Sequence, residues 1–459
     1  MNDQPTRLGV LEECRRTLML AGPLVIGQVT SYGMNFVDTL MAGRLGRLDL
    51  GAVAIGSSVW AAGLLFIVGM LMAVSASVAR LDGAGRQRQA GELARQALWL
   101  SAALGCLMWW LMRRGDRVMG WVGVEADVAA LANGYLHAMS WGAPGLAAMF
   151  VLRFFSEGTG YTRPTMYIGL LGIACNVPLN YVLMFGKLGF PAMGAIGCGW
   201  ATAVVLWLQC LALAWWIKRR PRYRPYALFE RFSGPSRREI GALVRLGLPI
   251  GIMVFLEGGL FVGTALLIGT LGALPIAAHQ VAINYAGLMF MVPLGLAGAI
   301  MVRVGNAAGR ADPVGARRAG LVGMSLALAF GGCSALVMLV FPEAIARMYT
   351  ADPAVIELAA SLLLLAAVFQ LADCLQVSAA GALRGLKDTR VPMLYSLVAY
   401  WLVGMMLGWW LTFRQDWGPA GMWVGIIAGL TLAAVLLAGR FLRVTDPGRP
   451  PGAAFSEAQ

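Results

Sequence analysis

Between Leu246 and Val302 the chain carries one charged side chain, Glu257. The pattern recurs twice: from Thr17 to Gly43 the only charge is Asp38, and from Leu358 to Leu383 it is Asp373. Few folds are open to uncharged runs of this kind. A spanning helix takes about 20 apolar residues. Within a bilayer every backbone N–H and C=O must find its partner inside the protein, which makes helices the solution for continuous apolar runs. Of the 459 residues, 59% are hydrophobic and 13% charged, against about 25% charged in a soluble domain. The chain therefore reads as an all-α membrane protein with no soluble domain. Twelve spans are expected, near 17–42, 51–79, 93–112, 126–151, 164–186, 193–217, 241–268, 274–302, 319–342, 355–382, 391–413 and 418–439.

The net charge of +13 does not call for nucleic acid, because of where the cations lie. With the N-terminus inside, the inner segments hold 28 Lys/Arg and the outer segments 8: Arg44, Arg47, Arg113, Arg114, Arg117, Lys187, Arg347 and Arg414. This asymmetry orients a polytopic protein with its basic loops in the cytoplasm and predicts cytoplasmic termini. The run KRRPRYRPYALFERFSGPSRRE at 218–239 reads as an inner loop against anionic headgroups. The seven Cys and two His show no metal-ligand spacing. No cleavable signal peptide is expected, since the charged start leads into a segment long enough to span.

Two halves repeat. Residues 20–52 align without gaps with 246–278, matching Pro23/Pro249, Gly33/Gly259, Gly46/Gly272 and Ala52/Ala278 among others. Thr162, Arg163, Pro164 and Tyr167 recur as Thr389, Arg390, Pro392 and Tyr395. An offset of six helices keeps both halves in one orientation, so the repeat is a parallel one about an axis along the membrane normal. The expected lobes are 1–217 and 241–440, joined by a basic linker at 218–240 and followed by a cytoplasmic tail at 441–459. The chain is expected to work as a monomer.

A charge at membrane depth costs about 3 kcal/mol on insertion scales, so such residues usually serve an ion or proton path. The alternative reading is three capping or interface carboxylates. The repeat places Thr264 opposite Asp38 and Ser31 opposite Glu257, so each lobe has its own acid. In the second lobe Asp373 lies on the tenth span with Phe369 and Gln376, at spacings that put all three on one face. The eighth span adds His279, Gln280 and Asn284. Two carboxylates in one cavity either share a proton or bind a cation, so Glu257 and Asp373 are the candidate site for H⁺ or Na⁺. In the first lobe Asn176 and Asn180 stand one turn apart on the fifth span around Pro178. They are expected to face Asp38 or water, or else to make ordinary interhelical hydrogen bonds. Gln28, Thr30, Ser31, Tyr32 and Asn35 add polarity to the same helix as Asp38. Met and aromatic residues, mostly lipid-facing and core, would also suit an adaptable cavity for cationic aromatic compounds. No GxxxxGK[ST] motif occurs, so transport driven by an ion gradient is expected, with no organic cofactor.

The chain resembles the MATE (multidrug and toxic compound extrusion) family, its NorM-type bacterial branch in particular. The resemblance rests on PLVIGQVTSYGMNFVDTLMAGRLG at 23–46, PIGIMVFLEGGLF at 249–261, AAHQVAIN at 277–284, RVGNAAG at 303–309 and FQLADCLQVSAAGALRGLKDT at 369–389. It implies twelve helices in two pseudo-two-fold-related six-helix lobes around a V-shaped central cleft. It also implies efflux of small organic cations across a bacterial inner membrane in exchange for H⁺ or Na⁺. Asp38, Asn176 and Asn180 match the first-lobe acid and amides of the family, and Glu257 and Asp373 its second-lobe cation-site acids. Phe369 departs from the pattern by standing where some NorM-type members have a Tyr hydroxyl. Asn180 stands where archaeal and DinF-like relatives tend to have an Asp. Two alternatives remain open at this point. A lipid-linked oligosaccharide flippase of the same architecture would need a strongly cationic cleft, and an ion channel would need a continuous pore. An enzyme is not expected, since no nucleophile–base set is present.

Overall fold

The computed structural model describes residues 9–115 and 125–446. Twelve long helical spans follow one another along the described chain. They are α1 (Val10–Leu45), α2 (Arg47–Gly83), α3 (Gln87–Met112), α4 (Ala126–Ser140 and Ala143–Gly158), α5 (Arg163–Phe185) and α6 (Gly194–Arg219), then α7 (Arg237–Gly269), α8 (Ala273–Gly309), α9 (Pro313–Val340), α10 (Pro353–Gly385), α11 (Arg390–Arg414) and α12 (Pro419–Val444). Each covers one expected span. α4 bends by 49° at its break, and α11 is π-helical from Val398 to Met405. Nine of the twelve are long and apolar enough to cross a membrane on their own, and α4 joins them if its two pieces count as one span. α1 and α3 fall short because polar residues interrupt them, Gln28, Ser31 and Asn35 in α1 and the stretch Gln87–Gln96 in α3.

Local signals place the helix ends. Asp312 and Asp352 cap α9 and α10 by accepting from the Gly315 and Ala354 amides at 2.7 and 3.0 Å, each followed by Pro at the first helical position. The breaks between α1 and α2 and between α7 and α8 fall on repeat-related glycines, Gly46 and Gly272. Their φ values of 142° and 119° are ones that side chains rarely adopt.

The described chain divides into two compact units, and the division is not at the basic linker. One unit runs from Ile26 to Gly251, and the other contains the chain up to Val25 together with the chain from Ile252. The two cuts fall at repeat-related positions, two residues after Pro23 and Pro249. Repeat-related glycines explain the partition. A Cβ on Gly69 of α2 would sit 2.7 Å from the Cα of Gly251, and one on Gly295 of α8 would sit 2.5 Å from Val25. The first part of α7 thus packs directly on α2, and the first part of α1 on α8. Glu13 at the start of α1 is buried and takes Nε of Arg303 at 2.8 Å and Nη2 at 2.5 Å. The unit Ile26–Gly251 has one apolar core, around Leu71, Tyr135, Phe155 and Leu213. In the other unit the cores centre on Leu260, Tyr400 and Trp423, on Ile300 and Phe441, and on Leu24 and Leu296.

The linker is shorter than expected and is folded. α6 continues to Arg219 and α7 begins at Arg237, with a 3₁₀ turn at Pro221–Tyr226 between them. At the other end α12 runs to Val444 into the expected tail. Arg7, Arg117, Arg449 and the tail beyond Asp446 lie outside the described residues.

Candidate functional site

In the unit Ile26–Gly251 the sequence-predicted groups of the first lobe come together. Asn176 and Asn180 lie one turn apart on α5, both fully buried. The Asn180 amide Nδ2 donates to Asp38 Oδ1 at 2.6 Å and to Asn176 Oδ1 at 3.2 Å. The Thr202 hydroxyl of α6 donates to the second Asp38 oxygen at 3.5 Å. Asp38 itself is 5% exposed. α1 and α5 reach this distance because Gly169 leaves room for Thr30, whose Oγ1 would be 2.3 Å from a Cβ at that position. The Asn176 Nδ2 and Asn180 Oδ1 atoms are buried with no hydrogen-bond partner among the described residues. The network is therefore incomplete, and buried polar atoms of this kind usually serve a function or hold water.

Asp38 opens on a cavity of about 130 Å³ within this unit. Ser31, Asn35, Thr202 and Gln209 give it polar walls, and Met34, Met139, Met149, Trp60 and Phe150 give it soft apolar ones. Arg153 and Thr165 also line it. The Arg153 Nε donates to Glu157 Oε1 at 2.7 Å, and the Thr165 hydroxyl donates to the same oxygen at 2.9 Å. Glu157 is 4% exposed. Loop-charge counting hides this buried pair, because Arg153 falls among the inner-segment cations. Gln28 is half-buried on α1.

The other unit holds the second group. Asp373 is buried on α10, and its Oδ1 accepts no hydrogen bond among the described residues. Glu257 of α7 lies within electrostatic range of Asp373, Arg384 and Tyr400. Gln376, one turn from Asp373, donates to the Tyr400 hydroxyl at 2.5 Å. Both Gln376 and Tyr400 are fully buried. Phe369 is buried in an aromatic box, edge-on to Phe261 at 6.0 Å and to Trp423 at 5.8 Å. His279 of α8 packs on the same Trp423 at 5.8 Å, and its Nδ1 has no hydrogen-bond partner among the described residues. Gln280 and Asn284 are exposed and so stand apart from this buried cluster.

Arg384, Tyr400 and Trp423 are the members that sequence reasoning missed. Arg384 lies one residue past the charge-free run and counts there as a loop cation. The fold instead buries it to 5% exposure near Glu257. Its presence changes the charge of the cluster. With both acids ionised the three groups sum to −1, and one proton or one monovalent cation brings them to neutrality. The signal for Arg384 was the repeat: in the register that pairs Thr162 with Thr389, Arg384 falls opposite Glu157.

Known proteins resemble this chain over nearly its whole length. A family model, MatE, matches residues 23–182 and 249–410, one block in each half of the repeat. A probable multidrug resistance protein NorM of Xanthomonas campestris pv. campestris is 48% identical over 96% of both chains. The multidrug resistance protein PmpM of Pseudomonas aeruginosa is 44% identical over 95% of this chain and 92% of its own. Among solved structures, the eukaryotic MATE transporter AtDTX14 superposes with a TM-score of 0.88 at 21% identity, covering 98% of this chain and all of that one. The twelve-helix fold is thus shared across low sequence identity. The extent of the family match and the identity to these bacterial relatives show that the chain belongs to the MatE family.

Proposed function

We propose that this chain is a secondary active multidrug efflux transporter of the bacterial inner membrane. It exports small organic cations by antiport with protons, working as a monomer through alternating access, with both termini in the cytoplasm. The observation that carries this reading is the cluster of half-buried Glu257 with buried Asp373 and Arg384, in which one carboxylate oxygen of Asp373 has no hydrogen-bond partner among the described residues. Neutralising such a cluster takes one positive charge. A proton on the Glu257–Asp373 pair supplies it without further ligands. A sodium ion needs several oxygen ligands, and Phe369, on the face of α10 that carries Asp373, offers none.

Asp38 gives the other half a carboxylate of its own, held by Asn180 and Thr202 and open to the cavity. Its wall of Met and aromatic side chains suits hydrophobic organic cations, which gain from dispersion and cation–π contact. The names of the relatives, multidrug resistance proteins, support the substrate class. The excess of basic residues in alternate loops supports the orientation. A flippase for pyrophosphate-linked lipids is disfavoured by the cavity chemistry, where Arg153 is paired with Glu157 and Asp38 has no cationic partner among the described residues. The test is efflux of a fluorescent organic cation from proteoliposomes under an imposed pH gradient or an imposed Na⁺ gradient, each applied alone. Uptake or release that follows neither gradient would overturn antiport.

A further inference from the structure

The segment between α6 and α7 is built as a strap with two faces. Its 3₁₀ turn points Tyr223 and Tyr226 inward, at 3% and 5% exposure, and Leu228 follows them at 4%. Tyr223 shares a hydrogen bond with Ser156 of α4 at 2.5 Å, and Tyr226 donates to Asp82 of α2. Burial holds both phenols well above their usual range, so they remain neutral donors. From α3, Arg95 donates to the Ala227 carbonyl at 2.6 Å and Gln96 to the Gly234 carbonyl at 2.9 Å. Trp99 donates to the Ser233 carbonyl at 2.9 Å. All of these contacts lie inside the unit Ile26–Gly251, so the strap is fixed to it at both ends.

The outward face is cationic. Eight Lys/Arg between Lys218 and Arg238 are all exposed, against two acids, Glu230 and Glu239. None of the eight joins an ion pair among the described residues. Exposed apolar groups adjoin them. Phe232 is 88% exposed and stands edge-on to Trp99 at 6.1 Å. Trp215 and Leu211, one and two turns before the end of α6, are each 60% exposed, and Arg219 lies 6.0 Å over the Trp215 ring. α6 is long and apolar enough to cross a membrane. The cations thus begin where its apolar face ends, with aromatic rings at the boundary, the depth at which headgroups sit.

We infer that this strap is a preformed binding face for anionic phospholipid, with the phosphate headgroup on Arg220, Arg222 and Arg224 and the acyl chains against Trp215 and Phe232. Charge alone would suit any polyanion. The lipid-facing residues of α6 beside the cations favour a ligand with both a charged head and an apolar tail. Because the backbone is already fixed, binding orders little further chain, and the affinity depends on charge and so on ionic strength.

The test reads lipid binding and is independent of the efflux reading. Purified protein is placed in phosphatidylcholine nanodiscs containing a trace of spin-labelled phosphatidylglycerol or spin-labelled phosphatidylcholine, and the motionally restricted fraction is measured. The expected result is a preference for phosphatidylglycerol of at least about five-fold, the factor one surface cation supplies, which collapses in high salt. A combined Arg220→Gln, Arg222→Gln, Arg224→Gln variant should lose it. The same three positions changed to Lys should keep it, as should a control with Arg44→Gln, Arg47→Gln and Arg414→Gln. Equal immobilisation of the two lipids by the unmodified protein would overturn the proposal. So would a preference that survives in the glutamine strap variant or disappears in the control. A labelled single-stranded RNA that binds the strap while the lipids show no preference would replace lipid with nucleic acid as the ligand.

Discussion

Glu157 and Arg384 stand at the same register of the two halves and carry opposite charge. Both are buried, at 4% and 5% exposure. Glu157 is met by Arg153 on its own helix at 2.7 Å, whereas Arg384 interacts across helices with Glu257. The buried acid Glu157 thus has a cation beside it and the buried cation Arg384 an acid, with the polarity reversed between the halves. Neither pair involves Asp38 in one unit or Asp373 in the other. In the proposed antiport these two acids are the ones that exchange a proton.

Arg384→Gln should lower both stability and transport. Removing Arg384 leaves the half-buried Glu257 without its cation; breaking a fully buried pair costs about 3–5 kcal/mol, so the expected cost here is below that range. Thermal unfolding of the detergent-purified protein should show a clear drop. The double variant Arg384→Gln, Glu257→Gln should regain much of that stability while remaining inactive. An Arg384→Gln protein that matches the unmodified one in melting and in efflux would refute the partnership.

Asp373→Asn and Glu257→Gln should each reduce gradient-driven efflux to near background while leaving membrane insertion intact. Each change keeps the shape of the side chain and removes its ability to gain and lose a proton. The readout is export of a fluorescent cation from proteoliposomes with equal protein content. Wild-type rates in both variants would remove the coupling role from this cluster.

Asp38→Asn and Asn180→Ala should impair the cycle by different routes. The first removes the charge facing the 130 Å³ cavity and should stop transport while retaining part of the substrate binding. The second takes away the 2.6 Å donor to Asp38, and an unpaired buried acceptor costs about 1–3 kcal/mol. Its effect should appear as a shifted pH profile of efflux together with a lower melting temperature. An Asp38→Asn protein with unchanged rate and pH profile would reduce Asp38 to a structural part.

The spans and the Asp38–Asn180 contact were legible for a physical reason. A lone polar group in an apolar helix has few places to go, and Asn176 and Asn180 at one-turn spacing define a single face. Glu257 and Asp373 stood out in the same way. Arg384, Arg153 and Glu157 were hidden because a charge at the end of a helix looks the same in sequence whether it snorkels to a headgroup or turns inward. Only the packing around Gly158 and Gly385 separates the two cases: a Cβ at those glycines would meet Val78 at 2.7 Å and the Met301 carbonyl at 2.6 Å. The partition of α1 and α7 at repeat-related positions was likewise invisible, since the linker composition marks a loop and says nothing of which helix half packs where.

Phe369→Tyr probes the coupling ion. The ring sits in a box formed by Phe261 and Trp423, and an added hydroxyl must fit a tight site, with an overpacking cost of about 1–3 kcal/mol. The new oxygen would enter the face of α10 that carries Asp373, where a sodium ion bound by the two acids lacks ligands. If that lack is what limits Na⁺, the variant should show stronger Na⁺-dependent efflux at fixed pH than the unmodified protein. The unmodified protein itself should export its substrate when the outside is made acidic, with Na⁺ absent from both sides. Robust Na⁺-driven efflux by the unmodified protein at fixed pH, without any response to an imposed pH gradient, would sink proton coupling. It would then require the ion to be held by Glu257, Asp373 and water without help from position 369.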